Sequence, residues 1–203
     1  MSCAYGQLEY GFTAFAADVA HVSTRVVGWA FAANCATIVV IQLLVLPHLE
    51  GRSRSRVMAV AAAIIGGSWL VLATAAIGRG GGAGAVASVV ACGVVFSFGE
   101  VLMSPVMPAI TNSLATDALR GRYNTVTSMT FGVTSVIGPL TAAPLIGHGL
   151  WGVWLLVVVA FGVAASAGAM TLTPRLTAEQ DGRADAVGQA LVSTSPSGLP
   201  RGA

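Results

Sequence analysis

The sequence predicts an all-α membrane protein, built as a bundle of six transmembrane helices of which the first is truncated. Hydrophobic residues make up 55% of the 203 residues and charged residues only 9%, whereas a soluble domain has roughly 25% charged residues. The mean hydropathy is +0.80. Because a disordered chain needs low hydrophobicity and high charge, this composition excludes disorder and argues against a soluble globular domain.

Long apolar runs define the expected helices, since about 20 helical residues cross the hydrocarbon core of a bilayer. Five runs are long enough, and a weaker sixth run opens the chain. The runs lack the alternation of a β-barrel, and backbone groups in lipid must be satisfied within the segment. Helices are therefore expected over residues 3–17, 26–47, 57–77, 84–108, 125–147 and 150–172. Residues 1–172 would form one bundle, and the polar residues 173–203 are expected to be a disordered tail.

The arginines set the expected orientation, because cytoplasmic loops carry an excess of Lys and Arg. The chain has ten arginines and no lysine. Six flank the helices on one side, namely Arg52, Arg54, Arg56, Arg120, Arg122 and Arg175. Only Arg25 and Arg79 fall on the other side. We expect a multi-pass protein of the inner (cell) membrane with loops 48–56 and 111–124 and the C-terminus in the cytoplasm.

Several function classes find no support in the sequence. The formal net charge of +2 is too small and too scattered for a nucleic-acid partner. No GxSxG, HExxH or P-loop motif is present, so no enzyme activity and no cofactor are expected. Cys3, Cys35 and Cys92 are widely spaced and lack the spacing of metal ligands, so no metal site is expected. The partner expected from composition is the lipid bilayer.

Glu100 is the sharpest candidate residue, because it lies inside the apolar run FSFGEVLMSPVMP. An ionisable group inside the membrane costs about 2.5–3.5 kcal/mol on insertion scales and usually faces a bundle interior or a water-filled path. It would either carry a proton or contact substrate, or it would anchor a neighbouring helix; the sequence leaves both open. Pro105 and Pro108 follow on the same helix, and each is expected to kink it.

Other polar residues repeat this theme in the first two runs. Gln7 and Glu9 interrupt the opening segment, and Asn34 and Gln42 lie eight residues apart, on roughly one helix face. Such residues suit the wall of a substrate or proton path. They equally suit hydrogen bonds between helices, which are worth about 0.6 kcal/mol each.

The two arginine-rich connectors share a pattern in which an acid precedes paired arginines at a helix boundary. One contains Glu50, Arg52 and Arg54. The other contains Asp117, Arg120 and Arg122. Acid–arginine pairs at helix ends can latch helices in one conformation, whereas topology anchoring alone would need only the arginines.

Residues 96–140 resemble the major facilitator superfamily, specifically its drug:proton antiporter type. The likeness rests on the Gly-Glu step at Glu100, the RGRYN loop beginning at Arg120, and the pair Gly138 and Pro139. Residues 43–56 are similar to the loop between helices eight and nine of that family, and Tyr5 to Glu9 to part of helix seven. The resemblance implies that the chain corresponds to the C-terminal half of such a transporter, helices seven to twelve. Pro139 with Gly138 would bend helix eleven.

This resemblance implies secondary transport of a small molecule, as efflux that is coupled to protons. Substrate binds between two six-helix halves in such transporters, so a missing N-terminal half or a homodimer is the expected partner. The Gly pair that follows Gly-Pro in the antiporter motif is replaced by Ala142 and Ala143, which weakens the antiporter inference. Two alternatives stay open: a truncated fragment that does not transport, and a membrane scaffold or accessory subunit.

Overall fold

The computed structural model describes residues 2–49, 51–77, 81–116 and 118–183. The described chain is helical, with no strand. Its elements are α1 (Ser2–Gly6), α2 (Gly11–Ala14) followed by a π-helical turn (Phe15–Val19), α3 (Thr24–Leu49), α4 (Arg54–Ala73) extended by a 3-10 turn (Thr74–Ala76), α5 (Ala83–Leu114), α6 (Arg120–Gly147) and α7 (Trp151–Leu172).

Five described helices, α3 to α7, are long and apolar enough to cross a membrane by length and composition. This agrees with the expected all-α membrane fold. The helices of the arginine-rich end are longer than expected: α5 runs to Leu114 rather than Pro108, and α6 begins at Arg120 rather than Thr125. Polar side chains support the extra turns, because Asn124 donates to Asn112 across the two helices at 3.1 Å.

The opening segment is interrupted, instead of forming the single helix expected over residues 3–17. Helix α1 ends at Gly6 and α2 starts at Gly11. The backbone N–H of Phe12 reaches the carbonyl of Gln7 at 2.9 Å across the break. The buried Gln7 side chain holds this break by accepting a hydrogen bond from Trp154 Nε1 at 3.0 Å.

Helix α4 lies at the centre of the packing and contacts α5 on one side and α7 on the other. The contact with α7 is close because Gly66 and Gly162 face each other; a Cβ on Gly162 would lie 2.6 Å from the Cα of Gly66. Small residues permit such approaches between membrane helices. A cluster of aromatic rings fills the space between the π-helical turn, α4, α5 and α7, with Trp69 and Trp154 in edge contact at 5.6 Å.

Helices α3 and α6 form the margins of the bundle. Helix α3 packs on α5, and α6 packs on the interrupted opening segment, α5 and α7. Helix α6 buries a narrow stripe spaced by four residues, made of Thr134, Gly138, Ala142 and Ile146. Most of its other side chains are exposed. Both marginal helices therefore leave apolar faces for lipid or for another set of helices.

The prediction of a disordered tail from residue 173 is wrong for residues 173–183, which fold back onto the start of α4. Asp181 is fully buried there. Its carboxylate accepts hydrogen bonds from the Ser53 hydroxyl at 2.7 Å and the Ser55 backbone N–H at 2.8 Å. An N-terminal helix end offers unpaired N–H groups that a carboxylate satisfies. The rest of the expected tail, 184–203, lies outside the described residues.

Candidate functional site

Glu100 follows a close contact between α5 and α4. The preceding residue, Gly99, is buried against α4, where a Cβ would lie 2.6 Å from Cγ1 of Ile65 and 2.9 Å from the carbonyl oxygen of Ala61. The absence of a side chain at residue 99 therefore brings the two helices together one residue before the acid. This contact fixes the position of Glu100 along the bundle.

The carboxylate of Glu100 has one bonded and one unbonded oxygen. Tyr5 of α1 donates its hydroxyl to Oε1 of Glu100 at 2.6 Å. The other oxygen, Oε2, is buried and has no hydrogen-bond partner among the described residues. A buried oxygen of this kind is costly unless it meets a proton or a ligand donor.

An aromatic clasp holds the Tyr5 hydroxyl in place. The ring of Tyr5 lies 5.6 Å from that of Phe96 on α5 and contacts Phe131 of α6 edge-on at 6.0 Å. Such pairs add about 0.5–1.5 kcal/mol beyond burial. The clasp and the hydrogen bond thus join α1, α5 and α6 at one level. Sequence reasoning used Tyr5 as the start of the segment that is similar to helix seven, but did not predict its contact with Glu100.

Glu100 lines two cavities. The larger, about 460 Å³, lies between α1, α5 and α6 and is also lined by Tyr5, Met103, Asn124 and Phe131. The smaller, about 150 Å³, lies towards α3 and is shared with Gln42. The carboxylate therefore lines both a wider, mainly apolar space and a narrower one of mixed polar and apolar lining.

Pro105 and Pro108 lie on the same stretch of α5, which continues through both of them. Each proline lacks an N–H, so the carbonyl four residues earlier loses its helical donor. Those carbonyls belong to Val101 and Ser104, and both residues line the smaller cavity with Glu100. The predicted prolines thus add backbone acceptors to the neighbourhood of the acid.

The other predicted polar residues divide between packing and the cavity. Gln7 is buried and bonds Trp154, with its Nε2 3.5 Å from Thr141 Oγ1. Asn34 is buried and donates to the Gly93 carbonyl at 3.1 Å, joining α3 to α5. Both contacts favour the alternative of hydrogen bonds between helices.

Gln42 and Glu9 are exposed, and they occupy different places. Gln42 lies about two turns further along α3 than Asn34, and it lines the smaller cavity beside Glu100. Glu9 lies in the break between α1 and α2. Gln42 therefore shares a cavity with Glu100, whereas Gln7, Glu9 and Asn34 line neither of the two cavities described at Glu100.

Gly138 and Pro139 lie where α6 meets the interrupted opening segment. Gly138 is buried, and a Cβ there would lie 3.6 Å from the carbonyl oxygen of Gly6. This is ordinary contact distance. Helix α6 continues through Pro139 to Gly147, so the pair marks a helix crossing rather than a helix end.

The arginine-rich connectors and the segment after α7 meet at one end of the bundle. Arg54 is half-buried and donates to the Gln180 carbonyl at 3.3 Å, and Ser113 at the end of α5 donates to the same carbonyl at 3.3 Å. Arg52, Arg120 and Arg122 are exposed. The acids Glu50 and Asp117 of the predicted latches lie outside the described residues.

Asp181 is the charged group at this end that the sequence did not single out. Burial alone would raise the pKa of its carboxyl group. The hydrogen bonds from Ser53 and Ser55 and the charge of Arg183, whose Nε lies 3.0 Å away, instead hold that pKa below its ordinary value. Nothing in the sequence separates Asp181 from the neighbouring Glu179, because its partners are about 126 residues away.

Among the described residues, no group of three or more histidine, cysteine or acidic side chains is placed to hold a metal ion. At Glu100 the arrangement offers a half-buried carboxylate, with its Oε2 atom buried, that lines two cavities in an apolar bundle. Such a group can exchange a proton or meet a donor on a ligand.

Comparison with known proteins gives one family. The model of the Major Facilitator Superfamily matches residues 4–198, which is nearly the whole chain. No curated protein and no solved structure matches. The match agrees with the five apolar helices of the described chain. The chain therefore belongs to the major facilitator superfamily, whose members are membrane transporters.

Proposed function

We propose that the chain forms one six-helix half of a secondary transporter that exports a small molecule in exchange for protons, with Glu100 as the proton-carrying group. The observation that carries this proposal is the state of the Glu100 carboxylate. Oε1 is held by Tyr5 at 2.6 Å, whereas Oε2 is buried and unbonded within the described chain.

The two oxygens of Glu100 suit a group that alternates between two protonation states. When ionised, the carboxylate is stabilised by the Tyr5 hydroxyl. When protonated at Oε2, the carboxyl group gains an O–H donor. Gln42 and the carbonyls of Val101 and Ser104, which lack a helical N–H donor, line the smaller cavity and can accept a hydrogen bond from it. Neither state leaves the acid wholly without support, which is what reversible proton binding in an apolar helix requires.

The larger cavity is the proposed substrate space. Met103, Met107 and Phe131 give it apolar surface, while Asn124 and Glu100 give it polar groups. Ligand sites are mainly apolar with a few placed polar groups. Asn124 is exposed, so a second six-helix unit, on the same or another polypeptide, would complete the enclosure. A homodimer is one such arrangement.

The arginine-rich end is proposed to face the cytoplasm of the cell membrane. Arg52, Arg54, Arg120 and Arg122 flank helices at that end, as the positive-inside bias requires. We further propose that Arg54 and Arg120, with Glu50 and Asp117, act as a gate there. The contact of Arg54 with Gln180 supports a role in holding helix ends together.

Cysteine labelling tests the orientation. Single cysteines replacing Ser53 and Ala83, in a background without Cys3, Cys35 and Cys92, are treated with a membrane-impermeant maleimide. We expect label at residue 83 in intact cells, and at residue 53 only after the membrane is opened. Labelling of residue 53 in intact cells would reverse the assignment.

The transport proposal is tested with Glu100→Gln in membrane vesicles from the native host. A compound library is first screened for substrate-dependent proton movement with a pH-sensitive dye. Glu100→Gln should abolish that movement for every active compound and leave membrane insertion intact, since Gln keeps the shape and removes the ionisation. The matched control is Glu179→Gln, which removes an exposed acid of the segment after α7 and should keep the wild-type response.

The results separate the two interpretations of Glu100. Loss of proton movement in Glu100→Gln with an unchanged control supports the proton-carrying role. Wild-type proton coupling in Glu100→Gln would show that the acid is an anchor between helices, because Gln can accept the Tyr5 hydrogen bond equally well.

A further inference from the structure

Helices α3 and α4 leave a groove between them at the arginine-rich end. Both pack on α5, and they have few contacts with each other. The groove has a volume of about 550 Å³. Leu102 of α5 forms its floor, and Leu44 of α3 and Val60 of α4 stand on its two sides. Its interior is therefore apolar and opens at the surface of the membrane bundle.

The mouth of this groove is basic. Arg52 and Arg56 line it together with His48 and Ser53. Both arginines are exposed, and neither forms an ion pair with an acid among the described residues. The two guanidinium groups therefore present their donors next to an apolar opening, at the level where α3 ends and α4 begins.

This pairing of chemistries matches one class of ligand. Guanidinium groups bind phosphate through paired hydrogen bonds, and basic pockets between transmembrane helices on the cytoplasmic side bind anionic headgroups. The apolar walls below the arginines offer nothing to a free phosphate ion, but they fit acyl chains. We propose that the α3–α4 groove is a binding site for an anionic phospholipid of the phosphatidylglycerol class.

The site does not depend on the transport role proposed for Glu100. General topology anchoring would need positive charge anywhere on this side. A lipid site needs the positive charge of the arginines that line the groove. The experiment therefore compares arginines at different positions while removing the same total charge.

The experiment measures phosphatidylglycerol retained by the purified 203-residue chain. The protein is placed in nanodiscs of phosphatidylcholine with phosphatidylglycerol, and bound lipids are counted by native mass spectrometry. The test variant is Arg52→Gln with Arg56→Gln. The control is Arg122→Gln with Arg175→Gln, which removes two exposed arginines of the same end that do not line the groove.

We expect the test pair to bind phosphatidylglycerol about 30-fold more weakly, since each substitution removes a hydrogen bond to the headgroup, at about 1 kcal/mol each. The control pair should retain it. A second variant, Val60→Trp, keeps both arginines but fills the groove at an exposed position, and it should also lose the lipid.

Three results would overturn the proposal. The first is equal loss of lipid in the control pair, which would indicate diffuse attraction. The second is full retention in Val60→Trp, which would show that the groove is not used. The third is complete displacement of the lipid by inorganic phosphate, which would make the site one for a free anion.

Discussion

Replacing Asp181 with alanine should release the segment after α7 from the start of α4. The substitution removes the acceptor of the Ser53 hydroxyl at 2.7 Å and of the Ser55 N–H at 2.8 Å. It also removes the ion pair with Arg183. The backbone bond from the Arg54 N–H to the carbonyl of residue 181, at 2.9 Å, is kept. The variant therefore tests the carboxylate alone.

The size of the effect follows from these contacts. A hydrogen bond to a charged group contributes about 1.5–3 kcal/mol, and loss of a side-chain cap costs about 0.5–2 kcal/mol. The Arg183 pair adds little, because Arg183 is exposed. These contributions overlap, and together they amount to about 3 kcal/mol. The released state should then be more populated by a factor on the order of 100.

Hydrogen–deuterium exchange of the chain in nanodiscs measures that population. Peptides covering residues 53–57 and 177–183 should exchange faster in Asp181→Ala. Peptides from the middle of α4 should not change. The control is Glu179→Ala, which removes an exposed acid of the same segment. Unchanged exchange in Asp181→Ala, or equal acceleration in the control, would refute the capping role.

The same contact predicts a pH dependence. The pKa of Asp181 is lowered when the segment after α7 is docked on α4. Ionised Asp181 therefore stabilises the docked state at pH values above the ordinary carboxyl pKa of about 3.9. That gain is lost as the pH falls through the docked-state pKa. After correction for intrinsic rates, exchange at residues 177–183 should be flat above about pH 5 and rise at more acidic pH. A flat profile in Asp181→Ala is the control.

Two further substitutions test the neighbourhood of Glu100 by thermal unfolding in detergent. Gly99→Ala should lower the free energy of unfolding by about 1–3 kcal/mol, because its Cβ would lie 2.6 Å from Ile65. The control Gly138→Ala, whose Cβ would lie at ordinary contact distance, should be tolerated. An equal loss of stability in the two variants would contradict the packing argument. Tyr5→Phe removes a hydrogen bond to a carboxylate and should cost about 1.5 kcal/mol. Tyr10→Phe, at an exposed tyrosine, should leave the midpoint unchanged, and the same midpoint in both tyrosine variants would refute the role of the bond.

Long apolar runs made the five spanning helices predictable, since length and hydropathy alone decide whether a segment can cross a membrane. Glu100 was visible for the same reason, as an acid within such a run. The pairing of Glu100 with Tyr5 was not predictable, because the partners are 95 residues apart. Local pattern carries no information about which helices become neighbours.

The interruption near Gln7 and the docking of Asp181 were hidden for a related reason. Each depends on a partner more than 120 residues away, Trp154 for Gln7 and Ser53 for Asp181. In the sequence, Gln7 reads as a polar residue in a helix and Asp181 as part of a polar tail. The observed helices also extend further than the apolar runs, because polar residues such as Asn112 continue a helix beyond the hydrocarbon.

The length of α5 has a consequence for the membrane potential. Glu100 is the eighteenth of its 32 residues, about 25 Å along the axis from Ala83. In the proposed orientation, with Ala83 placed at the outer boundary of a core about 30 Å thick, the carboxylate would lie about 5 Å from the inner boundary. A proton that reaches Glu100 from the arginine-rich side would cross about one sixth of the voltage, or about 0.4 kcal/mol per 100 mV. Proton loading from that side should thus respond weakly to voltage, and most of the electrical work would fall on the path to the opposite surface.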